Sequence, residues 1–169
     1  MENAGQKKII NALYGLLVVS TILGFMPNFN AFLASFVLWA AVLAASYLYR
    51  RKDSEDGLLY NHMTYLIGTI WIGTAFILLG TIIAGLWVFL QGDGSILDAA
   101  IAKIESGAAI DEAELTQITH DYITANKGLL MTASFAAVGP AVLYFVYRVA
   151  NGYGRAMKGY RIANPKSWL

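Results

Sequence analysis

The sequence predicts an all-α integral membrane protein: a four-helix bundle with an extracytoplasmic helical excursion between its third and fourth spans. Three observations predict it. Four long apolar stretches contain no Asp, Glu, Lys, Arg or His, the basic residues gather at particular ends of those stretches, and an acidic segment separates the third from the fourth. The composition agrees. Of 169 residues, 57% are hydrophobic and 14% charged, against about 25% charged in an ordinary soluble domain.

Crossing ~30 Å of hydrocarbon as a helix takes about 20 apolar residues. The spans are expected at 9–25, 31–48, 64–90 and 129–147, within a single transmembrane domain covering 1–169. Met26-Pro27-Asn28 closes the first, and Arg50-Arg51-Lys52 stops the second. The third exceeds a perpendicular crossing and is expected to tilt or protrude. Lys7 and Lys8 before an apolar run also suit a signal peptide, but no clean small-x-small cleavage site follows, so the segment is expected to stay as a span. Open strands would leave main-chain groups unpaired in lipid, which leaves helices.

Orientation follows from charge. Lys7, Lys8, Arg50, Arg51, Lys52, Arg148, Arg155, Lys158, Arg161 and Lys166 fall on one side of a four-span chain, and only Lys103 and Lys127 on the other. The positive-inside rule places the first group, and both termini, in the cytoplasm. The expected location is the bacterial inner membrane.

Helices in lipid associate through small residues. Thr69, Gly73, Gly80 and Ala84 form such a stripe on span three; Ala34, Ala41 and Ala45 on span two; Ala133, Ala137 and Ala141 on span four, where Pro140 is expected to kink the helix. Tyr47, Tyr49, Tyr60, Tyr65, Tyr144, Tyr147 and Tyr153 are expected to form an interfacial belt, with Trp87 near the other boundary.

The excursion, 91–127, carries Asp93, Asp98, Glu105, Asp111, Glu112, Glu114 and Asp121 against two lysines. Ser95 with Asp98, and Asp111 with Glu114, read as helix starts, and Gly107 as the end of the first helix. Leu97, Ile101 and Ile104 line one face of that helix; Leu115, Ile118 and Tyr122 line one face of the second. So short a pair cannot build its own core, which makes these six residues candidate partner contacts. In the tail, 148–169, the helix of span four should run on to about Lys158 with Gly159 as its cap. An extended stretch containing Pro165 and Trp168 then follows. Arg148, Arg155, Lys158 and Arg161 are expected to attract anionic lipid headgroups.

The runs LLYNHMTYLIGTIWIG and VYRVANGYGRAMKGYRIANPKSWL resemble a bacterial family of small, functionally uncharacterised four-span membrane proteins. That family is grouped by similarity with a four-helix translocon subunit of the chloroplast inner envelope. His62, Trp71, Arg148, Gly152 and the ANPKSWL ending carry the resemblance, which covers 58–90 and 143–169 well and the first two spans in general character. The acidic excursion departs from it, because the family turns tightly there. The resemblance implies a four-helix fold and transfers no catalytic residues.

No residue pattern points to catalysis, a cofactor or a metal. Intramembrane ionisable groups mark most pumps and transporters, and the four stretches have none. Cysteine is absent, which removes thiolate chemistry. His62 and His120 are expected on opposite sides, roughly ~30 Å apart, so they cannot share a metal or haem. Asp111, Glu112 and Glu114 lack the pattern of a calcium loop. Ser95, Asp98 and His120 share a side without any sign of triad geometry. Topology accounts for the basic residues, so nucleic acid is not an expected partner. The expected role is non-catalytic: an accessory or structural subunit of a larger membrane assembly, with membrane lipids and other integral membrane proteins as partners. The alternative is a small transport or protein-translocation component, with a hydrated path lined by Thr69, Thr74 and Thr81.

Overall fold

The computed structural model describes residues 2–168, with side chains from residue 4 onward. These residues form six helices and no strand. They are α1 (Glu2–Gly24), α2 (Phe29–Arg50), α3 (Leu58–Gln91), α4 (Ser95–Glu105), α5 (Glu112–Ala125) and α6 (Lys127–Lys158). Four of them, α1, α2, α3 and α6, are long and apolar enough to cross a membrane. Each begins or ends beyond the expected span, since a helix continues through polar residues once its main chain is paired.

Local chemistry sets the boundaries. Asn28 caps α2 by accepting the Ala31 N–H at 3.1 Å. The Asp53 carboxylate accepts the Tyr60 N–H at the start of α3, close against Gly57, where any Cβ would collide with it. Asp111 caps α5 through the Glu114 N–H at 2.7 Å. For α4 the expected cap is displaced: Ser95 is the first helical residue, and Asp93 accepts its N–H at 3.0 Å. Hydrogen bonding from Ser95 holds the Asp93 carboxyl below its ordinary pKa. Gly107 and Gly159 end α4 and α6 with φ of +83° and +73°. The residue after each donates back five positions, Ala108 to Lys103 and Tyr160 to Arg155, which satisfies carbonyls a helix end leaves bare. Pro140 lies inside α6 without ending it.

The chain divides into two compact units. The first comprises 1–75 and 142–169 and holds the apolar core: Ile10, Tyr14 and Leu17 of α1, Val42 of α2, Leu59, Met63, Leu66 and Ile70 of α3, and Val149 and Ala156 of α6. From Asn61 to Ile67 every residue of α3 is buried, as in a helix enclosed on all sides. The seam of α2 follows Ser35, Trp39, Val42, Ser46 and Tyr49, spaced four and three apart. Ala34 and Ala41, expected in that seam, are exposed, and Ala45 is half-buried. Ala45 still packs against the core. Ser20 of α1 donates to the Ser35 carbonyl at 2.9 Å and draws that edge of α2, rather than the one with Ala34 and Ala41, to the close contact, while the Ser46 hydroxyl is satisfied within α2 by the Val42 carbonyl.

The second unit, 76–141, pairs the later part of α3 with the earlier part of α6 and adds the α4–α5 hairpin. Gly80 lies so close to Ala137 that a Cβ would stand 2.3 Å from its carbonyl oxygen. Ala133 and Ala141 are buried and Ala84 half-buried. Asn126 ties the corner of α5 and α6 to the end of α3. Its Oδ1 accepts the Asp93 N–H at 2.7 Å and its Nδ2 donates to the Asp93 and Tyr122 carbonyls. Lys103 and Glu114 join α4 to α5 as an ion pair.

Candidate functional site

Because α3 is enclosed between 61 and 67, its polar residues there have no water and need partners. The tail supplies those of Asn61 and of one nitrogen of His62, Asn151 donates to the Tyr65 hydroxyl, and the Thr64 hydroxyl has no partner among the described residues. After Gly159 the chain runs without regular helix to Trp168. Asn61 takes both main-chain groups of Ile162, accepting its N–H at 2.7 Å and donating to its carbonyl at 3.0 Å. His62 places Nε2 2.9 Å from the Tyr160 carbonyl and Nδ1 3.3 Å from the Tyr14 hydroxyl. A carbonyl only accepts, so Nε2 carries the proton and Nδ1 accepts from Tyr14. The Tyr14 ring stands edge-on to the imidazole and presses against Gly152, where a Cβ would lie 2.3 Å from the hydroxyl oxygen.

Arg148 is the largest fully buried side chain among the described residues. Its Nε donates to the Thr69 hydroxyl at 3.0 Å, Nη1 to the Ser167 carbonyl at 2.5 Å, and Nη2 to the Tyr65 carbonyl at 3.4 Å. The guanidinium carbon sits 3.9 Å from the centre of the Tyr65 ring and 5.8 Å from that of Tyr144. Carbonyl dipoles and ring faces therefore stabilise this cation. Tyr144 in turn donates to the Trp168 carbonyl at 2.7 Å.

Arg148 thus departs from its expected place among the headgroups. On α6 it continues the buried line of Ala133, Ala141, Gly152 and Ala156, and solvent does not reach it. Tyr65 departs too: it is 2% exposed and lies under the guanidinium rather than in an interfacial belt. Thr69, expected either in a seam or along a hydrated path, is buried, donates to Tyr65 and accepts from Arg148. Gly73 packs against Phe145. Arg155, Lys158 and Arg161 are exposed, with Arg155 also reaching the Arg161 carbonyl at 3.3 Å. Arg161 approaches Asp56 at 3.8 Å across an open cleft of about 580 Å³. That cleft is walled by Glu55, Asp56, Tyr60 and Asn61 on one side and 161–166 on the other.

The candidate partner residues lie apart from this cluster, in the second unit. Leu97, Ile101, Ile104 and Leu115 are 40, 52, 59 and 57% exposed, while Ile118 and Tyr122 are half-buried. Among the described residues, no three His, Asp or Glu side chains gather closely enough to hold a metal ion. The sequence reading missed Asn61, Tyr14 and the tail-binding role of Arg148. For Arg148 a signal existed, since the spacing of small and apolar residues along α6 passes through it. For Asn61 there was none.

Compared with known proteins, the chain matches no family model, no curated protein and no solved structure.

Proposed function

We propose that this chain is a non-catalytic, multi-pass subunit of a larger membrane protein assembly. One observation carries the reading: the α4–α5 hairpin leaves Leu97, Ile101, Ile104 and Leu115 open on helices of 11 and 14 residues, too short to make a core by themselves. Lipid is the poorer candidate to cover them. Helices that lie in a membrane surface are typically rich in Lys and Arg on the polar face, whereas 91–127 carries seven acidic residues and two lysines. An integral membrane protein with an apolar, basic-rimmed surface suits the hairpin.

In this reading the assembly sits in a bacterial inner membrane with both ends of the chain in the cytoplasm. The ten-to-two division of basic residues supports that placement. The resemblance to the small four-span family belongs to the same proposal. Extraction in mild detergent should recover the protein with stoichiometric partners, and Ile101→Asp with Leu115→Asp should release them. Recovery as a lone monomer, with neighbouring complexes undisturbed after deletion, would overturn it. A second reading, a translocation component, draws on the main-chain contacts around Asn61 and Arg148. It fails if reconstituted vesicles pass no solute or peptide.

A further inference from the structure

The side chains that hold the tail bind its main chain and largely ignore its side chains. Asn61 takes the N–H and carbonyl of Ile162, His62 the carbonyl of Tyr160, Arg148 that of Ser167 and Tyr144 that of Trp168. The side chains at 160, 161, 163, 164, 166 and 168 meanwhile face outward, and only Ile162 is sunk, at 6% exposure. A grip of this kind discriminates weakly by sequence. Any extended segment offering main-chain groups at the same spacing, with one branched apolar side chain, meets the same partners.

Two further features bear on exchange. The gripping side chains stand on α3 and α6, so the groove is supported by regular helix rather than by the tail itself. The tail leaves α6 through Gly159, whose left-handed φ makes it a natural pivot, and it borders the open cleft along 161–166 instead of being roofed over.

We propose that this groove is a receptor for an extended polypeptide segment with a branched aliphatic anchor, and that residues 160–168 are its resident occupant, displaced when such a segment binds. Tethering gives the tail an effective concentration in the millimolar range, so the groove is tested best with the tail weakened and the groove intact. The probe is a fluorescein-labelled peptide GYRIANPKSW, read by anisotropy against the full-length protein in phosphatidylethanolamine–phosphatidylglycerol nanodiscs. Ile162→Asp should bind it at least tenfold tighter than the unmodified chain, and adding Asn61→Ala should remove that gain. Alanine at the peptide positions of Tyr160, Arg161 and Lys166 should change affinity less than threefold, whereas N-methylation at the position of Ile162 should weaken it tenfold or more. Ile162→Ala carries the same test should Ile162→Asp fail to fold. The proposal is overturned if variants with unchanged helix content show no saturable binding, or if binding persists undiminished with Asn61→Ala, which would mark simple partition into the bilayer.

Discussion

Asn61 and Asn126 perform the same chemistry in different surroundings. Each is 4% exposed, and each accepts a main-chain N–H and donates to the carbonyl of the same residue: Ile162 for Asn61, Asp93 for Asn126. The unit that holds Asn61 also holds thirteen buried apolar side chains and the Arg148 cluster. In the second unit the buried residues are Gly80, Asn126, Ala133 and Ala141, and no large apolar side chain is enclosed. The first unit supplies its own solvent for its polar groups. The second must take its apolar environment from lipid or from another protein. The same pair of hydrogen bonds is therefore one part of a core in the first unit and the main fastening in the second.

The sharpest way to break this contrast is at Arg148. Arg148→Met removes the donor to Thr69, Ser167 and Tyr65. The Tyr65 carbonyl keeps its bond from Thr69, so the loss falls on the bonds to Thr69 and Ser167; at about 1–3 kcal/mol for a buried partner lost, a cost on the order of 3 kcal/mol is expected, with rapid proteolysis across 160–168. Arg148→Lys should recover little of it, because an ammonium cannot reach several fixed acceptors while lying on the Tyr65 ring. Near-native stability of Arg148→Met would remove the idea that the cation anchors the tail.

Asn61→Ala and Asn126→Ala come next, at about 2 kcal/mol each. They should differ in reach. Hydrogen exchange after Asn61→Ala should rise at Ile162 and stay low in α1, while Asn126→Ala should loosen the whole segment from Asp93 through α5. Equal, global effects would show that the two units unfold as one. Gly80→Ala should cost about 1–3 kcal/mol by overpacking, since the obstacle is main chain. Gly85→Ala, with nothing within 4 Å, should gain about 0.5–1 kcal/mol. Thermal denaturation in detergent would rank the pair. Smallest is Lys103→Ala. Its ion pair with Glu114 is between a third and two-fifths exposed, so at most about 0.5 kcal/mol is expected, vanishing at high salt.

The four long apolar helices were legible because hydropathy is a local property, readable without knowing any neighbour. Gly73 and Gly80 stand close to Phe145 and Ala137, positions where only a small residue fits, whatever the partner. Of the α2 stripe, Ala45 does pack against the core, but Ala34 and Ala41 do not, because they compete with Ser35 and Val42 at the same spacing and the bond that decides between them comes from Ser20 on another helix. Arg148 was misassigned because charge next to an apolar run usually reports topology. Here its fate is fixed by Tyr65 and Thr69, 83 and 79 positions earlier, and by Ser167, 19 positions later. The line of buried small residues along α6 marks Arg148 as inward-facing, but no local window names partners so far away in the chain.

That last separation bears on the order in which the first unit comes together. When α6 meets α3, Arg148 finds Thr69 and the Tyr65 carbonyl, but its Nη1 donor stays bare until Ser167 folds back. A buried donor without an acceptor is costly. Docking of 160–168 should thus complete the closing of this unit rather than follow it.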